Sequence, residues 1–321
     1  MKINIAEENR GVKMKILVTG GSGFIGTHVT KRLMEDGHQV RVFDISPPRN
    51  MCVEFVKGNI NVLEHISNAV KNVDIVIHLA GVVGVGKTEK YPLTTLITNV
   101  QGTLNVLKSC IDQKVEKIIF SSTSEVYGEP QVIPVPETHP LVPQSPYAVS
   151  KVACEEFIKA CGKEHGLDFL ILRFFNVYGP GQSTDFVVPR FVSSALKNQT
   201  LFIHGDGNQI RAFCHVEDVA KAVSLAVSYE KNDIFNIGND TEPITIRGLA
   251  EKIISLLGSK SDIQYLPFEA ADRGREKEIL RRIPDISKAK KLLGYSPTIS
   301  LEKGIKSVAE YFSSSSEGDQ V

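Results

Sequence analysis

Tyr147 and Lys151 are the residues in this sequence whose types and spacing best suit acid–base chemistry. Four apart, they share one face of a helix, so the ammonium sits near the phenol. A phenol with its reference pKa of roughly 10 is a poor base, and a neighbouring cation favours the phenolate. Upstream the chain runs Phe120-Ser121-Ser122-Thr123-Ser124-Glu125-Val126-Tyr127-Gly128. The hydroxyls of Ser122 and Thr123, at a strand end, are placed to complete a proton-handling site. Pro146 fits the first turn of the helix, and Gln144-Ser145 can supply its cap. Alone, a tyrosine and a lysine at this spacing are common on solvated helix faces. Their meaning depends on the elements that hold them.

From Met14 those elements become legible. Lys15-Ile16-Leu17-Val18-Thr19 reads as a buried strand, followed by Gly20-Gly21-Ser22-Gly23-Phe24-Ile25-Gly26, a helix over 27–36 closed by Gly37, and a strand over 39–43 ending at Asp44. Strand, Gly-x-x-Gly-x-x-Gly turn, helix, strand and acid together form a dinucleotide-binding unit. Gly20 permits the tight turn, Gly23 lets backbone approach a pyrophosphate, and Gly26 lets the helix pack on the sheet. The phosphates then meet the helix N-terminus. Asp44 is placed to accept from the adenosine ribose hydroxyls, and its charge would repel a 2′-phosphate. The cofactor is therefore expected to be NAD rather than NADP.

Further strands are expected over 53–60, whose end would flank the adenine, over 74–81, over 116–122 and over 169–174. Helices fall over 94–112 and from Lys151 to 165. This alternation predicts an α/β fold, a doubly wound parallel sheet with helices on both faces. His78, on an apolar strand, reads as a satisfied core histidine rather than a ligand. After Asn176-Val177-Tyr178-Gly179-Pro180-Gly181 the rhythm breaks into a smaller, mixed region carrying Arg190, Arg211 and Arg275, groups suited to a phosphorylated ligand. The expected organisation is an extension over 1–13, a dinucleotide-binding core over 14–175, a substrate-binding region over 176–312 with some segments returning to the core, and a disordered serine-rich tail over 313–321.

Lys+Arg and Asp+Glu both number 37, so no nucleic-acid partner is expected. No apolar run has the 18 or so residues needed to span a bilayer, and no secretory h-region opens the chain, so no membrane partner is expected. The five cysteines are scattered, lack metal spacing and suit the cytoplasm, with no metal expected.

From Met14 onward the sequence resembles the extended short-chain dehydrogenase/reductases that modify nucleotide sugars. The resemblance rests on the glycine turn, His78-Leu79-Ala80-Gly81, Thr98-Asn99-Val100-Gln101-Gly102-Thr103 and Ser145-Pro146-Tyr147 through Lys151. Arg173-Phe174-Phe175-Asn176-Val177-Tyr178-Gly179-Pro180, Arg211-Ala212-Phe213-Cys214-His215-Val216-Glu217-Asp218-Val219, Phe235-Asn236-Ile237-Gly238 and Pro284-Asp285-Ile286 extend it. It implies that Tyr147 takes the proton of the sugar's 4-hydroxyl as C4 passes a hydride to a nicotinamide, giving a 4-keto sugar. Lys151 would hold the phenolate and the nicotinamide ribose, and Thr123 would hydrogen-bond the reacting oxygen. The cofactor set would be Gly20, Gly23, Phe24, Ile25, Gly26, Asp44, Asn59, Ile60, Leu79, Ala80, Gly81, Asn99, Ser121 and Ser122, with Tyr147 and Lys151. The substrate set would be Val83, Thr123, Asn176, Val188, Arg211 and Arg275, although Arg275-Glu276-Lys277-Glu278 departs from the family's Arg-x-Gly-Asp.

Thr123-Ser124-Glu125 bears on the fate of the 4-keto sugar. A 4-epimerase needs no further acid or base. Hexose 4,6-dehydratases place Thr-Asp-Glu here, the aspartate as acid and the glutamate as base, whereas this chain has Ser124 at the acid's position. Thr-Ser-Glu is similar to GDP-mannose 4,6-dehydratases and UDP-glucuronate decarboxylases, but Asp44 differs from the NADP preference of the former, and the latter tend to lack Ser-Pro-Tyr. The loop over 81–87 and the turn over 176–181 most resemble 4-epimerases of UDP-hexoses. The expected activity is thus NAD-dependent 4-epimerisation of a UDP-linked sugar. Dehydration or decarboxylation through Glu125 is the alternative, and a non-catalytic NAD-binding regulator the remote one. The family commonly pairs as a homodimer through the helices over 99–112 and 151–165, where Ala153, Phe157 and Cys161 share a face.

Overall fold

A computed structural model describes residues 13–49, 51–267 and 279–318. Seven parallel strands form the central sheet: β1 (Lys15–Thr19), β2 (Gln39–Asp44), β3 (Glu54–Lys57), β4 (Ile75–His78), β5 (Lys117–Thr123), β6 (Asp168–Phe174) and β7 (Asp233–Ile237). Their order is β7-β6-β5-β4-β1-β2-β3, with the switch of direction beside β1. This is the expected doubly wound sheet, and β7 returns to it from the smaller C-terminal region.

Both faces of a parallel sheet are covered, so its strands read as continuous apolar runs. Ile16 and Val18 point into one layer with Val29 and Leu33 of α1 (Phe24–Glu35); Leu17 points into the other with Val106 and Leu107 of α2 (Pro92–Asp112). Helix α3 (Pro146–His165) packs beside α2 on this second face, through Cys154 and Ile158. A further helix, α4 (Val216–Val227), packs beside α1. A separate core, built from Phe191, Leu249, Ile253, Leu301 and Ile305, holds together the helices Val187–Leu196, Ile246–Leu257 and Leu301–Gly318. Among the described residues no helix is long and apolar enough to cross a membrane.

Several boundaries differ from the sequence reading. Helix α1 starts at Phe24, not at residue 27, so the last glycine of the turn already lies in its first turn. The strand expected over 74–81 ends at His78, because Leu79-Ala80-Gly81 turns out over Gly20, where an added Cβ would meet the Ala80 backbone nitrogen at 2.8 Å. His78 is core, as read: Thr19 and Thr103 hydroxyls lie 2.7 and 3.1 Å from its ring nitrogens, and burial, with Lys151 nearby, pushes it down to about 3. The final helix continues to Gly318, past the start of the segment expected to be disordered. The Ser313 and Ser314 hydroxyls donate back to the Ala309 and Tyr311 carbonyls, which lets a polar stretch stay helical. Residues 1–12 and 319–321 lie outside the described residues.

Gly26 carries the tightest approach in the glycine turn. An added Cβ would lie 2.0 Å from the Gly20 carbonyl oxygen and 2.7 Å from Gly21 Cα, both backbone atoms that cannot swing aside. Gly26→Ala is expected to cost about 3 kcal/mol, at the upper end of overpacking penalties. A urea midpoint equal to that of the parent would refute this.

Candidate active site

A cavity of about 990 Å³ opens at the carboxyl ends of β1, β2, β4 and β5, where the strand order reverses. Ligand crevices of open α/β sheets form at that switch point. Gly20, with φ at +71°, makes the turn, and no side chain caps α1, which leaves its first N–H groups for an anion. Asp44 ends β2 at the cavity wall, with one carboxylate oxygen accepting from Ser22 N (3.1 Å) and the other from Ser46 N (3.2 Å). These bonds fix the carboxylate at this end of the cavity. Phe24, Ile25, Asn59, Ile60, Leu79, Ala80 and Gly81 line the same end. A bare helix N-terminus, a glycine cradle and an acid at the second strand fit a dinucleotide with free ribose hydroxyls.

The acid–base groups meet at the other end. Ser145 Oγ caps α3 by accepting from Ala148 N at 3.1 Å, and Pro146 occupies the first turn. Tyr147 and Lys151 thereby face the end of β5, and with Ser121, Ser122, Thr123 and Ser124 they line the cavity. Lys151 reaches the Tyr147 ring, as its spacing suggests, but lies nearer to other partners. Its Nζ donates to the Ser121 carbonyl at 2.7 Å and lies 4.6 Å from the centroid of the Phe120 ring, against 5.9 Å for that of Tyr147. Burial therefore dominates both groups. It pushes the Lys151 ammonium down to about 8. The Tyr147 phenol is held above its ordinary value, by burial first and by the Glu125 carboxylate second, with a Thr123 hydrogen bond pulling it back.

Glu125 follows in a 3-10 turn, Ser124–Tyr127. One of its oxygens accepts from Ser145 Oγ at 3.2 Å, and the other lies 3.8 Å from Arg282 Nη1. Ser145 thus both caps the helix of Tyr147 and holds the neighbouring carboxylate. Asn176, Arg190 and Arg211 line the wall towards the C-terminal region, and Val83 the opposite loop. Two expected contacts fall elsewhere. Asn99 is not at the cavity wall; its amide accepts from Val82 N (2.7 Å) and donates to Val82 O and Ser150 Oγ, bracing the loop after β4 against α3. Val188 is 1 % exposed in the C-terminal core, and its neighbour Val187 lines the cavity instead. Arg275 lies outside the described residues. Arg282 was missed, as was Gln209; the Arg281-Arg282 pair before Pro284-Asp285 was the only signal for the former.

The depressed Lys151 has a consequence for stability. Between about 8 and its ordinary 10.5 the unfolded chain holds a proton that the folded one does not. Stability therefore rises with pH across that window, and the burial penalty is complete below it. Lys151→Met is expected to raise the urea midpoint at pH 7, with the gain shrinking as pH climbs through the window, while turnover is lost. A lower midpoint at pH 7 would refute the sign.

Comparison with known proteins places the fold in a family. Residues 16–238 match the NAD dependent epimerase/dehydratase family. A putative UDP-glucose 4-epimerase of Methanocaldococcus jannaschii is 38% identical over 312 residues, 92% of this chain and 97% of that protein. UDP-glucuronic acid decarboxylase 1 of Danio rerio is 36% identical, over 94% of this chain and 73% of that one. The crystal structure of a UDP-glucose 4-epimerase with UDP-glucose, from Thermotoga maritima, superposes with a TM-score of 0.88 at 35% identity, covering 94% and 99% of the two chains. With its match extending over most of the sheet and the cavity, the chain belongs to the NAD-dependent epimerase/dehydratase family, the nucleotide-sugar branch of the extended short-chain dehydrogenase/reductases.

Proposed function

We propose that this protein is an NAD-dependent 4-epimerase of a UDP-linked hexose. The observation that carries this reading is a site with one acid–base centre. Tyr147 and Thr123 share a hydrogen bond, a hydroxyl (Ser124) stands where a dehydratase would need a second acid, and the adjacent carboxylate of Glu125 is already engaged by Ser145 and Arg282. NAD, when bound, supplies the hydride acceptor and donor. Tyr147, as the phenolate, would accept the proton of the 4-hydroxyl and later return it. Burial, which raises the phenol, opposes the first transfer and favours the second, so the phenolate must be formed with the help of nearby positive charge. Thr123 fixes the reacting oxygen, and Lys151 brings positive charge to the end of β5. Asn176 and Arg211 hold the diphosphate, for which guanidinium is suited. The 4-keto sugar then needs only to turn over before it is reduced on its other face.

Arg282 favours a second reading. A guanidinium at the cavity wall beside Glu125 can take a carboxylate at C6, as a UDP-uronic acid would present, and a 4-keto uronic acid readily loses carbon dioxide. A panel of UDP-, dTDP-, GDP- and CDP-sugars read by product mass separates the outcomes. An epimer keeps its mass, dehydration loses water, and decarboxylation loses carbon dioxide. No product from any sugar would leave only an NAD-binding regulator. Glu125→Gln preserves shape and hydrogen bonding, so an epimerase should lose no more than about tenfold, the scale of one hydrogen bond. A dehydratase would stall with reduced cofactor. Deuterium entering C5 of the product from heavy water, with loss of water, would overturn the epimerase.

Asp44 makes NAD the expected bound nucleotide. Extraction yielding mainly NADP would contradict this, and Asp44→Ala should weaken discrimination between the two. We also infer a homodimer through α2 and α3, where Leu93, Ile97, Val149 and Phe157 leave large apolar side chains in solvent. Ala153 and Cys161 are half-buried on the same helix. A monomeric mass at micromolar concentration would decide against it.

A further inference from the structure

Behind the cavity lies a charged pair that the proposed chemistry does not use. Glu155 and Arg173 are 0 % and 2 % exposed. Arg173 clasps the carboxylate with two bonds, Nε to Oε1 at 3.0 Å and Nη2 to Oε2 at 2.6 Å. The pair then reaches outward to two of the elements that carry residues of the acid–base end. Glu155 Oε1 accepts from Ser122 Oγ, next to Thr123 on β5. Arg173 Nη1 donates to the Tyr127 hydroxyl at 2.9 Å, two residues past Glu125 in the same 3-10 turn. Glu155 itself lies one helical turn beyond Lys151 on α3, and Arg173 stands on β6. Tyr127 in turn donates to Asn236 Oδ1 of β7 at 2.7 Å.

We propose that the buried Glu155–Arg173 pair is the positioning element of the acid–base centre, fixing the β5 end, the Glu125 turn and the Tyr147–Lys151 helix in one register. A pair serving only stability would need to join α3 to β6. This one, besides a bond from Arg173 Nη1 to the Glu137 carbonyl at 3.1 Å, also engages Ser122, next to Thr123, and Tyr127, two residues past Glu125. A reacting geometry displaced by about 1 Å can cost a hundredfold in rate, so such anchoring acts on turnover more than on binding.

The inference rests on Tyr147 as the acid–base residue, so Tyr147→Phe is measured alongside. The decisive variant is the double change Glu155→Leu with Arg173→Met. Replacing both members of a buried ion pair by apolar groups of similar volume is often neutral for folding, whereas removing one is not. The double variant is expected to melt near the parent, with kcat down about tenfold to a hundredfold and the sugar KM within about threefold. A stable double variant with parental kcat would overturn the proposal. If the double variant does not fold, Tyr127→Phe decides, since it cuts the bond to the turn and leaves both charges in place. It should lower kcat about three- to tenfold at unchanged KM, and a kcat within about twofold of the parent would overturn the proposal. Should Tyr147→Phe keep more than about a tenth of the activity, the site itself has been misread and this inference falls with it. An inactive Tyr147→Phe beside a fully active double variant would sink the positioning role alone.

Discussion

All the chemistry of this protein hangs from one edge of a parallel sheet. Parallel neighbours require crossovers, and each crossover helix returns the chain to the same end, so the loops after β1, β2, β4 and β5 must gather together. That gathering brings a glycine turn, Asp44, the Leu79–Gly81 bend and the hydroxyls of β5 around one cavity. The sheet order reverses beside β1, which splits the helices to either face and leaves the crevice open between them.

Holding charge at that edge is unfavourable, and the chain offsets it in two ways. Lys151 keeps its ammonium in place with a backbone carbonyl and an aromatic face rather than a carboxylate, and burial weakens its hold on the proton. Glu155 and Arg173 instead neutralise each other, with further bonds to Ser122 and Tyr127. Breaking such a pair costs about 3–5 kcal/mol, because one charge is left buried alone. The site thus combines one charge that strains the fold with one pair that stiffens it. This is the usual tension between stability and function.

Relatives of this chain are named as epimerases, decarboxylases and a 4,6-dehydratase, and in our proposal the groups that would separate these outcomes are Ser124, Glu125 and Arg282 beside Tyr147. A glutamate held between a serine hydroxyl and a guanidinium is poorly free to strip a proton from carbon, whereas the guanidinium itself can meet an anionic sugar. The two readings of the site therefore turn on whether Arg282 faces Glu125 or a substrate carboxylate during turnover.

The sequence by itself determined the features that local pattern and short range control. Apolar runs of strand length, a glycine turn with an acid after the next strand, and a proline-started helix led to the sheet, the dinucleotide end and the Tyr147–Lys151 face. Contacts between residues distant along the chain were settled only by the tertiary structure. Arg282 reaches Glu125 because a short strand late in the chain lies against the cavity wall, which no spacing reveals. Asn99 was legible as a motif residue, yet its bonds go to Val82 and Ser150, a choice made by the packing of α2 on α3. Val188 and Val187 are equivalent in composition, and only the rotation of their helix sends one to the core and the other to the cavity. The bond from Lys151 to the Ser121 carbonyl escaped the pattern for the same reason. Helical spacing fixes which face a side chain leaves from, but the acceptor it finds is set by the element that the fold brings opposite.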